Sequence, residues 1–275
     1  MRFLELLHKS WEMPKPYEAF HIIFIAIFLS LSIFFSITFR KNRDKLFKVF
    51  LFTCWLVLAV LEIFKLVINF TTIENEKVIV DFIPANLGFQ FCSLPIYCLP
   101  VVIFAKEGKI KDIFVLFLAT YCLAAGLIAF VLPQTLFCGN IFLDYRTLIH
   151  HGIQLMSGIV LLVRYFDNFN LRNLFKTTIL FVIFVMLARF LNEAFHNSNF
   201  SGAADVNFFF ISPHHEDVFP LFGNIKQMIP NNIFTLGYIV GFTLIAFIVF
   251  AIPVLITRKW KCFNINIVNE ESSNY

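Results

Sequence analysis

A cysteine and a histidine lie at matching positions in two apolar segments of this 275-residue chain. Cys92 precedes Lys106, and His151 precedes Arg164, by about four helical turns in each case. If both segments are helices that end at these charges, the rise per residue places both side chains roughly 20 Å from the charged end. A thiolate is a nucleophile, and a neighbouring imidazole can take the proton from the thiol. The pair therefore indicates acyl transfer through a thioester.

Spacing alone does not decide which histidine would serve this cysteine. His150 and His151 are adjacent, and neighbouring residues of a helix point about 100° apart, so at most one of them faces a given cavity. A third polar group would be needed to orient the imidazole. The candidates for that group are Gln90, Gln154 and Asn192.

Charged residues occur at the same depth in two other segments. Glu62 follows Lys48, and Arg189 follows Lys176, again by about four helical turns. Ionisable side chains are costly inside a membrane and suggest function there. We expect Glu62 and Arg189 to bind substrate in a polar cavity, with Arg189 on a phosphate headgroup. A structural alternative stays open, in which Glu62 pairs with Lys65 or with Arg189.

The composition places these residues in a membrane protein. The chain is 59% hydrophobic and 15% charged, and its mean hydropathy is +0.79, whereas soluble domains carry about 25% charge. The net charge of +4 does not predict a nucleic-acid partner. Six cysteines without a CxxC or HExxH motif predict neither a disulfide framework nor a metal site, and we expect no cofactor.

We predict an all-α, polytopic membrane protein with seven transmembrane helices. A helix needs about 20 mostly apolar residues to cross the bilayer. In lipid, the backbone N–H and C=O groups can form hydrogen bonds only with one another, and a helix satisfies them. The predicted spans are Phe20–Phe39, Leu46–Phe70, Leu87–Phe104, Ile113–Leu132, Leu148–Val163, Leu174–Leu191 and Ile233–Ile256.

The lysines and arginines outside these spans alternate in number from one loop to the next. With Lys48 and Lys176, which lie near the ends of two spans, one set of compartments holds 14 of them and the other holds 6. By the positive-inside rule, the N-terminus lies outside and the C-terminus inside, and we expect the plasma membrane as the location. We predict one transmembrane domain over residues 1–263 and a polar, disordered cytoplasmic tail over residues 264–275.

Three short motifs surround the Cys/His pair. Residues 87–92 read Leu-Gly-Phe-Gln-Phe-Cys, and in a later segment His151 is followed by Gly152. Asn192 ends the sixth predicted helix, and 207–213 follow with Asn207, three phenylalanines and a proline. In order and spacing, these motifs resemble the YwaF-like family of bacterial integral membrane proteins, whose first motif is typically Leu-Pro-Leu-His-Leu-Cys. The resemblance covers about residues 87–256.

The YwaF-like family is related to a eukaryotic transmembrane acyltransferase that remodels ether phospholipids with a cysteine and a histidine. The resemblance implies that Cys92 is the nucleophile and His151 the base, and that Asn192 orients the histidine or stabilises the oxyanion. A phospholipid or lysophospholipid of the outer leaflet would be the substrate, contacted also by Gln90 and Asn207. Gln90 stands where the family has histidine, and an amide cannot carry a proton.

Two other functions fit the same residues. In a small-molecule transporter or substrate-binding membrane subunit, the polar layer would bind the solute. In a non-catalytic membrane scaffold, the buried charges would only pair with one another. A separate run, His214-His215-Glu216-Asp217, has metal-ligand chemistry, but adjacent residues rarely converge on one ion, and we interpret it as a solvated loop.

Overall fold

Six helices of the structure are long and apolar enough to cross a membrane. The structure is a computed structural model. It describes residues 2–40, 43–75, 77–133, 136–166, 169–215 and 220–272, with only the backbone for 220–223, 254 and 256–272. The six candidate spans are Ala19–Thr38, Asp44–Phe70, Lys109–Val131, Ile141–Arg164, Leu171–His196 and Asn231–Pro253, and a shorter apolar helix covers Phe91–Phe104. The chain is therefore a largely helical, multi-pass membrane protein, as predicted.

The helices follow the predicted apolar segments closely. In chain order they are α1 (Arg2–Leu7), α2 (Ala19–Thr38), α3 (Asp44–Phe70), α4 (Leu94–Phe104), α5 (Lys109–Phe117), α6 (Leu123–Val131), α7 (Ile141–Arg164), α8 (Leu171–His196), α9 (Pro220–Met228) and α10 (Asn231–Ser272). A π-helical turn, Leu118–Cys122, joins α5 to α6. The last helix continues to Ser272, where the sequence predicts a disordered tail, and the division of the chain at residue 263 stays a prediction.

Two features correct the sequence prediction. A two-stranded antiparallel hairpin, β1 (Thr71–Glu74) and β2 (Lys77–Val80), follows α3, so the fold is not purely helical. The third apolar segment becomes helical at a 3-10 turn from Phe91, not at Leu87. Its first residues are not helical, and the Gly88 carbonyl accepts a hydrogen bond from the Tyr97 hydroxyl at 2.7 Å.

Helix α7 begins two turns earlier than the predicted start at Leu148. The Asn140 side chain caps it by accepting from the backbone N–H of residue 143 at 2.9 Å. In the first turn, the buried Asp144 carboxylate accepts from the Trp11 indole at 2.7 Å and from the backbone N–H groups of residues 138 and 139. The residues from 141 to 147 thus belong to the helix, and the two histidines lie well inside it.

Helix α7 occupies the centre of the fold. Its apolar window is 72% buried, whereas the windows of α2, α3, α8 and α10 are 22–28% buried. It packs against α2, α3 and α6. Its approach to α2 needs Gly152, where a Cβ atom would lie 2.1 Å from the Phe28 ring. The His-Gly motif therefore has a packing reason: the glycine beside His151 gives room to a neighbouring helix.

Candidate functional site

A line of polar residues runs along the inward face of α7. Arg146, His150 and Gln154 are spaced four residues apart, so they stack on one side of the helix, and all three are buried. His151 lies beside this line and is also buried. The central helix of a membrane protein thus carries a stripe of polar residues into an apolar core. Because burying polar groups is costly, such a stripe is expected to have a function.

Cys92 contacts this stripe through its backbone. The Nε2 atom of His150 lies 3.0 Å from the Cys92 carbonyl oxygen, which can only accept a hydrogen bond. Cys92 also keeps part of its surface accessible, whereas Cys54, Cys98 and Cys122 are buried. Among the cysteines within the apolar helices that the structure describes, Cys92 is thus the least buried.

The two histidines point to different partners. The Nδ1 atom of His151 lies 2.8 Å from the Thr147 carbonyl oxygen on its own helix, whereas His150 contacts Cys92. Since a carbonyl accepts only, these contacts assign the proton to Nδ1 of His151 and to Nε2 of His150. The free lone pair is then on Nε2 of His151 and on Nδ1 of His150. His151 retains 7% exposure, and His150 has none.

A charged cluster lies about one helical turn from His150. The Glu62 carboxylate on α3 accepts from Lys65 Nζ at 2.9 Å through one oxygen and from Arg146 through the other. The pairing of Glu62 with Lys65 agrees with the structural alternative, but its second partner is Arg146. Arg189 instead donates to Asn232 and joins α8 to α10. Arg189 thus lies on a helix, as predicted, but its side chain contacts α10 and not Glu62.

Several polar atoms of the stripe have no hydrogen-bond partner. Among the residues that the structure describes, five buried side-chain atoms are unpaired, and three of them lie on α7. These three are Arg146 Nε, His150 Nδ1 and Gln154 Oε1. An unpaired buried polar atom costs about 1–3 kcal/mol, so native proteins seldom keep three of them on one helix face. These three atoms can still form hydrogen bonds, two as acceptors and Arg146 Nε as a donor.

The predicted site residues Gln90, Asn192 and Asn207 come together around one loop. Asn192 donates to the Phe208 carbonyl at 3.1 Å and accepts from the Phe208 N–H at 2.8 Å. Gln90 does the same across the loop, donating to the Asn207 carbonyl at 3.0 Å and accepting from the Phe209 N–H at 2.9 Å. Asn207 accepts from the N–H of residue 212. Two side-chain amides therefore clamp the segment 207–212.

The clamp bears on the two roles predicted for Asn192. Both polar atoms of its amide bond to the loop backbone, and His151 bonds to the Thr147 carbonyl; the oxyanion role stays a prediction. The clamp holds a strained backbone, because Phe209 and Phe210 both have a φ of 59°. The Phe209 ring stacks on Phe91 at 5.6 Å, next to Cys92. Asn192 and Gln90 thus position the loop that covers the residue before the cysteine.

We expect Asn192→Ala to loosen this loop without unfolding the protein. The substitution removes both hydrogen bonds to Phe208, so the strained turn loses its support and hydrogen exchange at the amides of residues 208–210 rises by about tenfold. Exchange followed by mass spectrometry measures this. The control is Asn197→Ala, at the end of the same helix, where the amide only bonds to its own helix. Equal exchange in both variants would contradict the clamp.

The histidine-rich run lies near the end of α8. His214 Nε2 lies 3.0 Å from a Glu193 carboxylate oxygen, and the His214 ring stacks on His196 at 3.7 Å. Glu216 and Asp217 lie outside the described residues. Within the described part of the chain, no group of three metal-capable side chains is found.

Arg146 is a site residue that hydropathy alone does not predict. The apolar stretch begins at Leu148, so hydropathy places Arg146 in a loop, whereas α7 begins at Ile141. A signal for it does exist: Asn140 has the chemistry of a helix cap, and Arg146, His150 and Gln154 repeat at helical spacing from there.

The fold and this site define a multi-pass membrane protein whose central helix carries a buried polar stripe beside a partly exposed cysteine. A family model agrees with this class. The TMEM164 family matches residues 16–254, most of the chain, and the protein belongs to that family. No curated protein matches the chain, and no solved structure matches it either.

Proposed function

We propose that this protein is a cysteine-dependent lipid acyltransferase or acyl hydrolase, with a phospholipid or lysophospholipid as substrate. The observation that carries the proposal is the environment of Cys92: among the described cysteines of the apolar helices it is the one that is not fully buried, and its backbone carbonyl bonds to His150 on α7. The motif resemblance to the YwaF-like family, with its acyltransferase relative, supports the same activity. Cys122 also contacts α7 through its backbone carbonyl, but Cys122 and Cys98 are fully buried.

The reaction would proceed in two halves. His151 Nε2 takes the proton of Cys92 Sγ, and the sulfur attacks the carbonyl carbon of an acyl ester. The carbon–oxygen bond breaks, the imidazolium returns its proton to the departing glycerol oxygen, and the acyl group stays on Cys92 as a thioester. A lysophospholipid hydroxyl or water then attacks the thioester while His151 accepts its proton. The sulfur leaves as thiolate and recovers that proton.

The two histidines would have different roles, His151 as the base and His150 as a positioning residue. Thr147 holds His151 in the tautomer whose Nε2 is free, and the slight exposure of this residue suits contact with substrate. His150 bonds to the Cys92 backbone and would fix the position of the nucleophile. Asn192 and Gln90 would act as positioning residues through the loop 207–212.

The orientation we propose places the site near the outer surface of the plasma membrane, with the N-terminus outside and seven spans. The charge count supports this orientation more strongly when Arg146 is left out of the outer loops. Arg146 belongs to α7 and pairs with Glu62 of α3. The seventh span would be the short helix Phe91–Phe104, which begins beside Cys92.

A thiol-labelling experiment tests the proposal directly. A lipid-like iodoacetamide is added to the full chain in membranes, and the modified cysteines are identified by mass spectrometry. We expect Cys92 to be labelled first among the membrane cysteines, because it is the least buried of them and because His151 is proposed as its base. His151→Ala should slow this labelling about tenfold or more, since the base is lost.

His150→Ala serves as the paired control for the choice of base. If His150 only positions the backbone of Cys92, its loss slows labelling less than the loss of His151. The reverse order would assign the base to His150. No preference for Cys92 over Cys98 would contradict the catalytic proposal and favour a transporter or a scaffold.

A further inference from the structure

The charged cluster beside Cys92 has more positive than negative charge. Glu62 contacts two cations, Lys65 and Arg146, and one carboxylate balances only one of them. Asp144 does not act as the second counter-ion, because its oxygens accept from Trp11 and from backbone N–H groups of residues 138 and 139. The side chains of Glu62 and Arg146 are 10% and 9% exposed. A buried surplus cation is costly unless an anion joins it.

Arg146 also has a free donor. Its Nε atom is buried without a hydrogen-bond partner, although its terminal nitrogen bonds to Glu62. The guanidinium group offers five N–H donors in a fork that matches two oxygens of a phosphate or carboxylate. The surplus charge and the unpaired donor are independent observations: the charge favours an anionic ligand, and the donor can bond to one of its oxygens.

The position of Arg146 along α7 narrows the choice of anion. It is the sixth residue of a 24-residue helix, and therefore lies near one membrane surface, about 27 Å along the helix from Arg164 at the other end. His150, which contacts Cys92, lies one turn deeper. In a phospholipid, the phosphate likewise lies at the surface and the acyl esters lie just below it.

We infer that Arg146, with Lys65, binds the phosphate group of the lipid whose acyl ester faces Cys92. The inference rests on the proposed function for the identity of the ligand as a phospholipid. Glu62 then sets the charge of the subsite: it neutralises one cation and leaves one positive charge for one phosphodiester. Arg146 would be a binding residue, and the selectivity would be for lipids with phosphate over neutral glycerides.

The test compares two probes with the same acyl chain, oleoyl lysophosphatidic acid and monooleoylglycerol, which differ in the phosphate. Both are offered together to full-length protein in a maltoside detergent, and native mass spectrometry measures the ratio retained. All variants carry Cys92→Ala, so no turnover consumes either probe. We expect a preference for the phosphate probe that falls about tenfold or more in Arg146→Gln. Arg146→Lys, which keeps the charge, should retain more of it.

This design separates folding from binding. Arg146→Gln leaves Glu62 and Lys65 as a neutral pair at 2.9 Å, so no buried charge is left alone. Arg189→Gln removes the same charge from another membrane helix and should leave the preference unchanged, because Arg189 bonds to Asn232. Displacement of the probe by millimolar inorganic phosphate would confirm the phosphate contact and show that the acyl chain adds little affinity.

Two outcomes would overturn the inference. One is an unchanged preference in Arg146→Gln, and the other is loss of the preference in Arg189→Gln instead. Neither depends on catalysis, since Cys92 is absent throughout. A protein that fails to form a thioester but prefers the phosphate probe through Arg146 would refute the proposed function and leave this subsite intact.

Discussion

Replacing Cys92 with alanine abolishes acyl turnover and leaves the fold intact; this is the expected result with the largest effect. The thiol would form the covalent intermediate, so its loss should lower the rate by about 10³-fold or more. The side chain is small and partly accessible, and its carbonyl contact with His150 comes from the backbone, which alanine keeps. The assay follows a radiolabelled acyl chain from phospholipid in mixed micelles to water or to a lysophospholipid.

The same assay reports the intermediate. Wild-type protein should carry label that neutral hydroxylamine removes, as it cleaves thioesters, and Cys92→Ala should carry none. Cys98→Ala is the matched control, because it makes the same substitution on the same helix at a buried thiol. Turnover that survives in Cys92→Ala, or that disappears equally in Cys98→Ala, would refute the mechanism.

The second large effect concerns Glu62, whose loss should destabilise the whole membrane domain. Glu62→Gln keeps the shape of the side chain but leaves two cations without a counter-charge, the buried Arg146 and the half-buried Lys65. Breaking a buried ion pair in this way costs about 3–5 kcal/mol, a large part of the stability of a typical domain. We expect the temperature of half-loss of monodisperse protein, measured by size exclusion after heating, to fall by roughly 10 °C.

A double variant tests whether charge is the cause. Glu62→Gln with Arg146→Gln returns the cluster to a single cation, so at least half of the lost stability should return, although two native contacts are gone. Glu74→Gln, an exposed carboxylate on β1, is the control and should leave the transition unchanged. A double variant no more stable than Glu62→Gln would show that packing, and not charge, dominates at this position.

The spans could be predicted from the sequence because lipid imposes a simple rule. An apolar stretch long enough to cross must be helical, and no tertiary contact is needed to decide this. For this reason α2 and α3 were placed to within two residues. The start of α7 was missed because Asp144 and Arg146 lower its hydropathy, and only their partners on other elements, Trp11 and Glu62, make the helix compatible with burial.

Depth could also be predicted, because it follows from the rise along a helix. Counting residues from the charged ends placed Cys92 and the histidine pair at one level, and His150 does contact Cys92. Direction around the helix could not be predicted in the same way. Whether a side chain faces the site, a neighbouring helix or lipid depends on which helices pack together, and that is set by long-range contacts.

The sequence by itself therefore determined the class of the protein, the helical spans and the level of the polar site. Only the tertiary structure decided which groups meet there. In the structure, Asn192 and Gln90 bond to the backbone of a strained loop. Arg189 bonds to Asn232, and Arg146 bonds to Glu62. The physical reason is that hydropathy and helix rise are local properties of the chain, whereas the partner of a buried charge is chosen by the packing of distant helices.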